Sequence, residues 1–178
     1  VCGRLLQELG LLGATASSCT LYAPACDAAF ANAFFVPACN QGVLPPSKFH
    51  IHLLSDEREN DDTVGGVYRK SLLYLVSRAL EAEHKVPLIG MHNAFKPGKS
   101  NDRTWHGSTL GEVKAWQKFW KQQPDANLRV LDAKKVEKVK HLDFIAAAHG
   151  CFDNSIDDVE AMLLRVTGRK KLEAPVTD

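Results

Sequence analysis

The stretch Phe144-Ile145-Ala146-Ala147-Ala148-His149-Gly150-Cys151-Phe152-Asp153-Asn154 joins a run of apolar and small residues to an abrupt His-Gly step and an Asp/Asn turn. A short apolar run bounded by turn residues reads as a buried strand. In open α/β sheets the carboxyl ends of strands carry the chemistry. A histidine there can be oriented by a carboxylate through one ring nitrogen and present the other to a cleft. His149 is therefore the first candidate for a general base. The bland alternative is a histidine that caps a turn.

Working outward, other short apolar segments repeat the pattern. Cys19-Thr20-Leu21-Tyr22-Ala23 is a strand stopped by Pro24, and Phe49-His50-Ile51-His52-Leu53-Leu54 is a second. Val86-Pro87-Leu88-Ile89-Gly90-Met91 reads as a third, wholly apolar as in a parallel sheet. Leu128-Arg129-Val130-Leu131 is a possible edge strand. Between them lie helical patterns over residues 3–12 (Leu5, Leu6, Leu9 and Leu12 on one stripe), 25–36 (Phe30, Phe34, Phe35, ended or bent by Pro37), 67–83, 109–122 and 157–167. The Asp-rich start of the last helix suits the helix dipole. Strands alternating with helices predict βαβ units. The expected fold is α/β, a mostly parallel sheet of four to five strands with helices on both faces, in one domain over 1–178.

Composition bounds the function. Of the 178 residues, 45% are hydrophobic and 24% charged, an ordinary globular balance, and the formal net charge of +1 favours neither nucleic acid nor an acidic membrane surface. No apolar run is long enough to span a bilayer. The five cysteines (Cys2, Cys19, Cys26, Cys39, Cys151) form no Cys-x-x-Cys pair and sit among apolar or small residues. That usage fits reduced structural thiols and a cytoplasmic location. Because Val1 to Gly10 already reads as the middle of a helix without an N-cap, the chain is expected to be a fragment of a longer protein.

His50 and His52 share one face of their strand, a spacing that could hold a metal, but no third ligand lies nearby with supporting spacing. No glycine-rich phosphate cradle is evident. No metal or cofactor is therefore expected. Residues 55–66 form a dense acidic loop just beyond a strand end, where a carboxylate could reach a histidine from another strand. The polar excursion over 92–109 suggests a lid or binding loop, with His106 as a weaker catalytic candidate.

Two segments carry a resemblance. Asp61-Asp62-Thr63-Val64, leading into Tyr68 and Ser71-Leu72-Leu73, is similar to the acid loop of the α/β-hydrolase superfamily, and His149-Gly150 is similar to its histidine loop. The order of elements resembles that family's C-terminal half. The resemblance implies a Ser-Asp-His triad in which Asp61 is the acid, with Asp56 at the immediate strand end as its rival, and His149 the base. It implies acyl hydrolysis of an ester, thioester or amide. No Gly-x-Ser-x-Gly occurs in the chain. The serine is thus expected upstream of Val1, in a missing N-terminal half, and the 178 residues alone are expected to be inactive. Cys2, at the start of a helical turn with no strand ahead of it, is a poor substitute. The alternative is a non-catalytic α/β binding or interaction domain with hydrolase-like architecture. An open sheet edge would also favour self-association.

Overall fold

The computed structural model describes residues 1–61 (the Asp61 side chain excepted), 70–96, 105–131 and 156–176. The expected strand at 144–148 lies outside them. The described elements run α1 (Cys2–Leu11), β1 (Cys19–Tyr22), α2 (Ala28–Asn40), β2 (Phe49–Leu54), α3 (Asp56–Asp61), α4 (Leu72–Leu75, continued as a π turn over Val76–Leu80), α5 (Leu110–Trp120), β3 (Leu128–Leu131) and α6 (Ile156–Thr167). The sheet is parallel throughout, in the order β1-β2-β3, with Thr20 opposite His50 and Ile51 opposite Leu128. Parallel pairing with helical connections confirms an α/β arrangement, with three strands among the described residues rather than four or five.

β2 is the central strand, and all six of its side chains are buried. Alternation sends Phe49, Ile51 and Leu53 to one face and His50, His52 and Leu54 to the other. On the first face Phe49 stacks on Phe35 of α2 at 5.2 Å and meets Trp120 of α5 edge-on at 5.6 Å. Phe95 and Trp116 complete this aromatic core, their ring centroids 5.6 Å apart. The second face lies under α6, through His52 and Asp158.

Four expectations are corrected. Residues 86–91 form no strand: Leu88 makes one isolated antiparallel bridge to Asp27, and the segment is held by Ala28 N–H to Pro87 O and Ile89 N–H to Cys26 O. Its apolar run reflects burial, which needs no ladder, and Pro87 cannot donate to one. Gly90 is required there, since a Cβ would lie 2.6 Å from the Pro24 carbonyl oxygen. Second, α2 continues through Pro37 to Asn40. Proline costs it one backbone bond, yet Phe35, Ala38 and Cys39 are buried on both sides of the break and hold the helix. The start of α2 is fixed by Asp27, whose side chain accepts the Phe30 N–H at 2.6 Å.

Third, α1 buries only part of its stripe: Leu6 and Leu9 pack on the core, while Leu5 and Leu12 are 57% and 80% exposed. It docks on α2 through Gly3 and Leu6, because the missing Cβ of Gly3 lets the helix approach Phe30 and Phe34 closely. Fourth, the 92–109 excursion is not all loop. Ala94, Phe95 and Trp105 are buried, so its two described ends belong to the core.

Trp116 is fully buried at the centre of the aromatic cluster. Trp116→Ala is expected to lower the unfolding free energy by about 3–5 kcal/mol, the range for deleting a buried aromatic side chain. Urea denaturation checks this, and a loss below about 1 kcal/mol would show that the cluster does not organise the core.

Candidate functional site

The carboxyl end of β2 is where backbone, charge and burial converge. Ser55 N–H donates to Leu131 O at 2.9 Å and ends the ladder, and α3 starts at Asp56. The Asp56 Oδ1 accepts the backbone N–H of Asn93 at 3.2 Å, from a segment 37 residues away. Its Oδ2 takes no hydrogen bond from a described residue. Asn60, one turn on, donates its Nδ2–H to the Asp56 carbonyl at 2.7 Å and accepts from Lys70 Nζ at 3.0 Å. Tyr74 stands beside them. Burial, then the negative charge of Asp56, pushes its phenol above the ordinary value, while Asn60 and Arg78 pull the other way. Lys70 lies over the Tyr74 ring at 4.8 Å.

The opposite neighbour of this rim is also strained. Ala23, just past β1, has φ of 38°, a left-handed conformation that costs a non-glycine residue about 1–3 kcal/mol. It persists because its N–H is bonded to His52 O at 2.8 Å and Gly90 packs against its carbonyl carbon.

A second constellation lies on the α6 face. His52 Nδ1 is 3.1 Å from Asp158 Oδ1, and the same oxygen accepts Arg129 Nε–H at 3.0 Å. His52 Nε2 is 3.3 Å from Arg165 Nη2. A carboxylate only accepts and a guanidinium only donates, which assigns His52 the neutral Nδ1–H tautomer. Both ring nitrogens are therefore occupied, and this His–Asp pair cannot serve as a general base. It ties α6 to β2 instead. The sequence reading missed Asp158, having assigned the Asp-rich helix start to the dipole; the signal was an acidic residue on the inner face of an amphipathic helix, opposite a strand carrying two histidines. His50, on the same face, is held down to about 4, first by burial and then by Arg165, His52 and Lys48, against a hydrogen bond to the Ala126 backbone.

A third grouping is exposed. His106 Nδ1 lies 2.7 Å from Ser108 Oγ, and its Nε2 lies 3.7 Å from Glu83 Oε2. Water competes with every contact in this line, so it caps the turn before α5.

Of the expected site residues, Asp56 is at the rim as described, Asp61 ends α3 with its side chain outside the described residues, and His149 lies outside them altogether. Among the described residues no group of three or more metal-ligating side chains converges. Burial pushes the Cys19 and Cys26 thiols up to about 12 and that of Cys39 to about 11, so none of these supplies a thiolate near neutrality. No described helix is long and apolar enough to cross a membrane. Comparison with protein-family models, with curated proteins and with solved structures gives no match.

Asp158→Ala removes the acceptor shared by His52 and Arg129. It is expected to cost about 3 kcal/mol of stability, the penalty for stranding a buried donor pair, measured by chemical denaturation. His50 gives a pH signature. Its folded pKa lies below that of the unfolded chain, so its contribution is complete above about pH 6.5 and is lost as pH falls towards 4. Relative to His50→Gln, the native chain should lose about 1–2 kcal/mol across that window, allowing for solvent screening. A flat difference between the two would contradict the burial of a neutral imidazole.

Proposed function

We propose that this chain supplies the acid and the base of a serine-type acyl-hydrolysis site of the α/β-hydrolase kind, with the nucleophilic serine contributed from outside the 178 residues. The observation that carries the reading is the Asp56 carboxylate at the carboxyl end of the central parallel strand, one oxygen anchored on the Asn93 N–H and the other not engaged by any described residue. An acid that orients a histidine needs that division: one oxygen fixed by the backbone, the other left for an imidazole N–H. Asp61 sits five residues further along α3, about 7.5 Å along the axis at helical rise. The Asn93 anchor is what supports Asp56, the rival, over Asp61 as the acid in this proposal.

The proposed chemistry follows from these groups. His149 accepts the serine proton as the hydroxyl attacks the carbonyl carbon of an ester, thioester or amide. The carboxylate holds the Nδ1–H tautomer and stabilises the imidazolium that forms. The imidazolium then protonates the leaving group, and a water molecule activated by the same histidine cleaves the acyl-enzyme.

Expressed as its full open reading frame, the longer chain of this proposal is expected to hydrolyse short nitrophenyl esters. His149→Ala and Asp56→Asn should each lower kcat by about 10³-fold or more with little change in KM, whereas Asp61→Asn stays within about tenfold. Undiminished turnover in His149→Ala would refute the base. A reversed order of the two aspartates would move the acid to Asp61. Inertness towards esters and thioesters alike would leave the non-catalytic α/β binding domain as the better reading.

A further inference from the structure

Two buried hydrogen-bond donors beside α3 have no partner among the described residues. Arg58, two residues after Asp56, is only 3% exposed, and its Nη1 makes no hydrogen bond. Its one recorded contact uses the backbone, N–H to Ser55 Oγ at 3.4 Å. No carboxylate of a described residue comes within the 4.0 Å of an ion pair with its guanidinium. Ser71 is fully buried, and its Oγ likewise has no partner. The two are neighbours through the backbone, since Ser71 N–H donates to the carbonyl of Glu59, the residue after Arg58.

A guanidinium stays cationic in any protein environment and can only donate. Burying it without a counter-charge is among the least favourable arrangements a fold can hold, and a water molecule would satisfy the hydrogen bond but not the charge. Orphaned polar groups of this kind are expected where a ligand completes them. The planar fork of Arg58 suits a carboxylate or phosphate, with a hydroxyl such as that of Ser71 as an added donor.

We infer that Arg58, with Ser71, is an anion-recognition site at the carboxyl rim of the sheet, taking a ligand that bears a carboxylate or phosphate. For what that anion belongs to, the inference rests on the acyl-hydrolysis reading: the substrate would be an acyl compound with a second, anionic function, held on one side of α3 while Asp56 works on the other. Binding itself does not depend on that reading.

Thermal unfolding of the chain in potassium chloride, succinate and inorganic phosphate at matched ionic strength tests it. Succinate or phosphate at about tenfold its Kd should raise Tm by roughly 3–6 °C over chloride. Arg58→Met should abolish that shift while its own Tm in chloride equals or exceeds the native value, because an isosteric apolar side chain replaces an uncompensated charge. Arg58→Lys, which keeps the charge without the fork, should weaken anion binding at least tenfold and serves where the Met variant does not fold. No shift with either anion, a shift that survives in Arg58→Met, or unaltered affinity in Arg58→Lys would each overturn the site. Succinate favoured over phosphate would assign a carboxylate ligand, and the reverse a phosphate. Anion binding without esterase activity in the longer chain would refute hydrolysis and leave this site standing; esterase activity without anion binding would do the opposite.

Discussion

Six consecutive buried side chains on β2 constrain the rest of the molecule. A central parallel strand must be covered on both faces, and a strand that alternates phenylalanine and leucine with histidine cannot be covered by the same material twice. On the Phe49 face the solution is aromatic: Phe35 of α2 stacks on Phe49, and Phe49, Phe95 and the two α5 tryptophans close on one another at 5.1–5.6 Å. On the other face His50 and His52 must be buried as polar groups, which is tolerable only if their nitrogens find partners. The Asp158–Arg129–Arg165 network does this for His52 and so decides which helix can dock there. The helix could not be exchanged for a purely apolar one without stranding the imidazole.

That arrangement separates stability from the proposed chemistry. Beneath the rim one carboxylate oxygen serves both His52 and Arg129, and Arg165 closes the ring's other nitrogen. The rim differs. Asp56 has one oxygen tied and one not engaged by a described residue, Arg58 is buried without a counter-ion among the described residues, and Ala23 holds a positive φ. The end of the sheet where α/β folds bind ligands thus carries both strain and unmet hydrogen-bonding capacity. Tyr74, Asn60 and Lys70 then set the electrostatic character of that edge from the α4 side.

Much of the fold was legible because period and punctuation agree. The strand at 49–54 and the helices starting near 110 and 156 announce themselves through alternation, apolar spacing and turn residues, and they appear within a residue or two of where those signals put them. What misled were features in which one residue property has two causes. An apolar run such as Val86–Met91 marks burial, and burial alone does not distinguish a ladder from a packed turn. Pro37 breaks an isolated helix, but its cost is smaller than the packing of Phe35 and Cys39. The leucine stripe of α1 marked only half of its contact face: Leu6 and Leu9 reach the core, while Gly3, whose missing Cβ would lie 2.7 Å from the Phe30 ring, sets how closely α1 meets α2.

The site was legible only in part, for a related reason. The acidic cluster after β2 pointed to the rim where Asp56 lies, since a strand end followed by carboxylates is a local pattern. Which carboxylate is anchored depends on Asn93, and which buried charge is matched depends on partners 106 and 113 residues away from His52. No local spacing encodes such pairs. Arg58 shows the limit most clearly. Within residues 55–66 it reads as one charge of a dense acidic loop, whereas the structure makes Asp56–Asp61 a helix. Only burial reveals that Arg58 and Glu59 face inward while Glu57 and Asn60 face solvent, so that helical phase, and not composition, determines where an uncompensated positive charge sits.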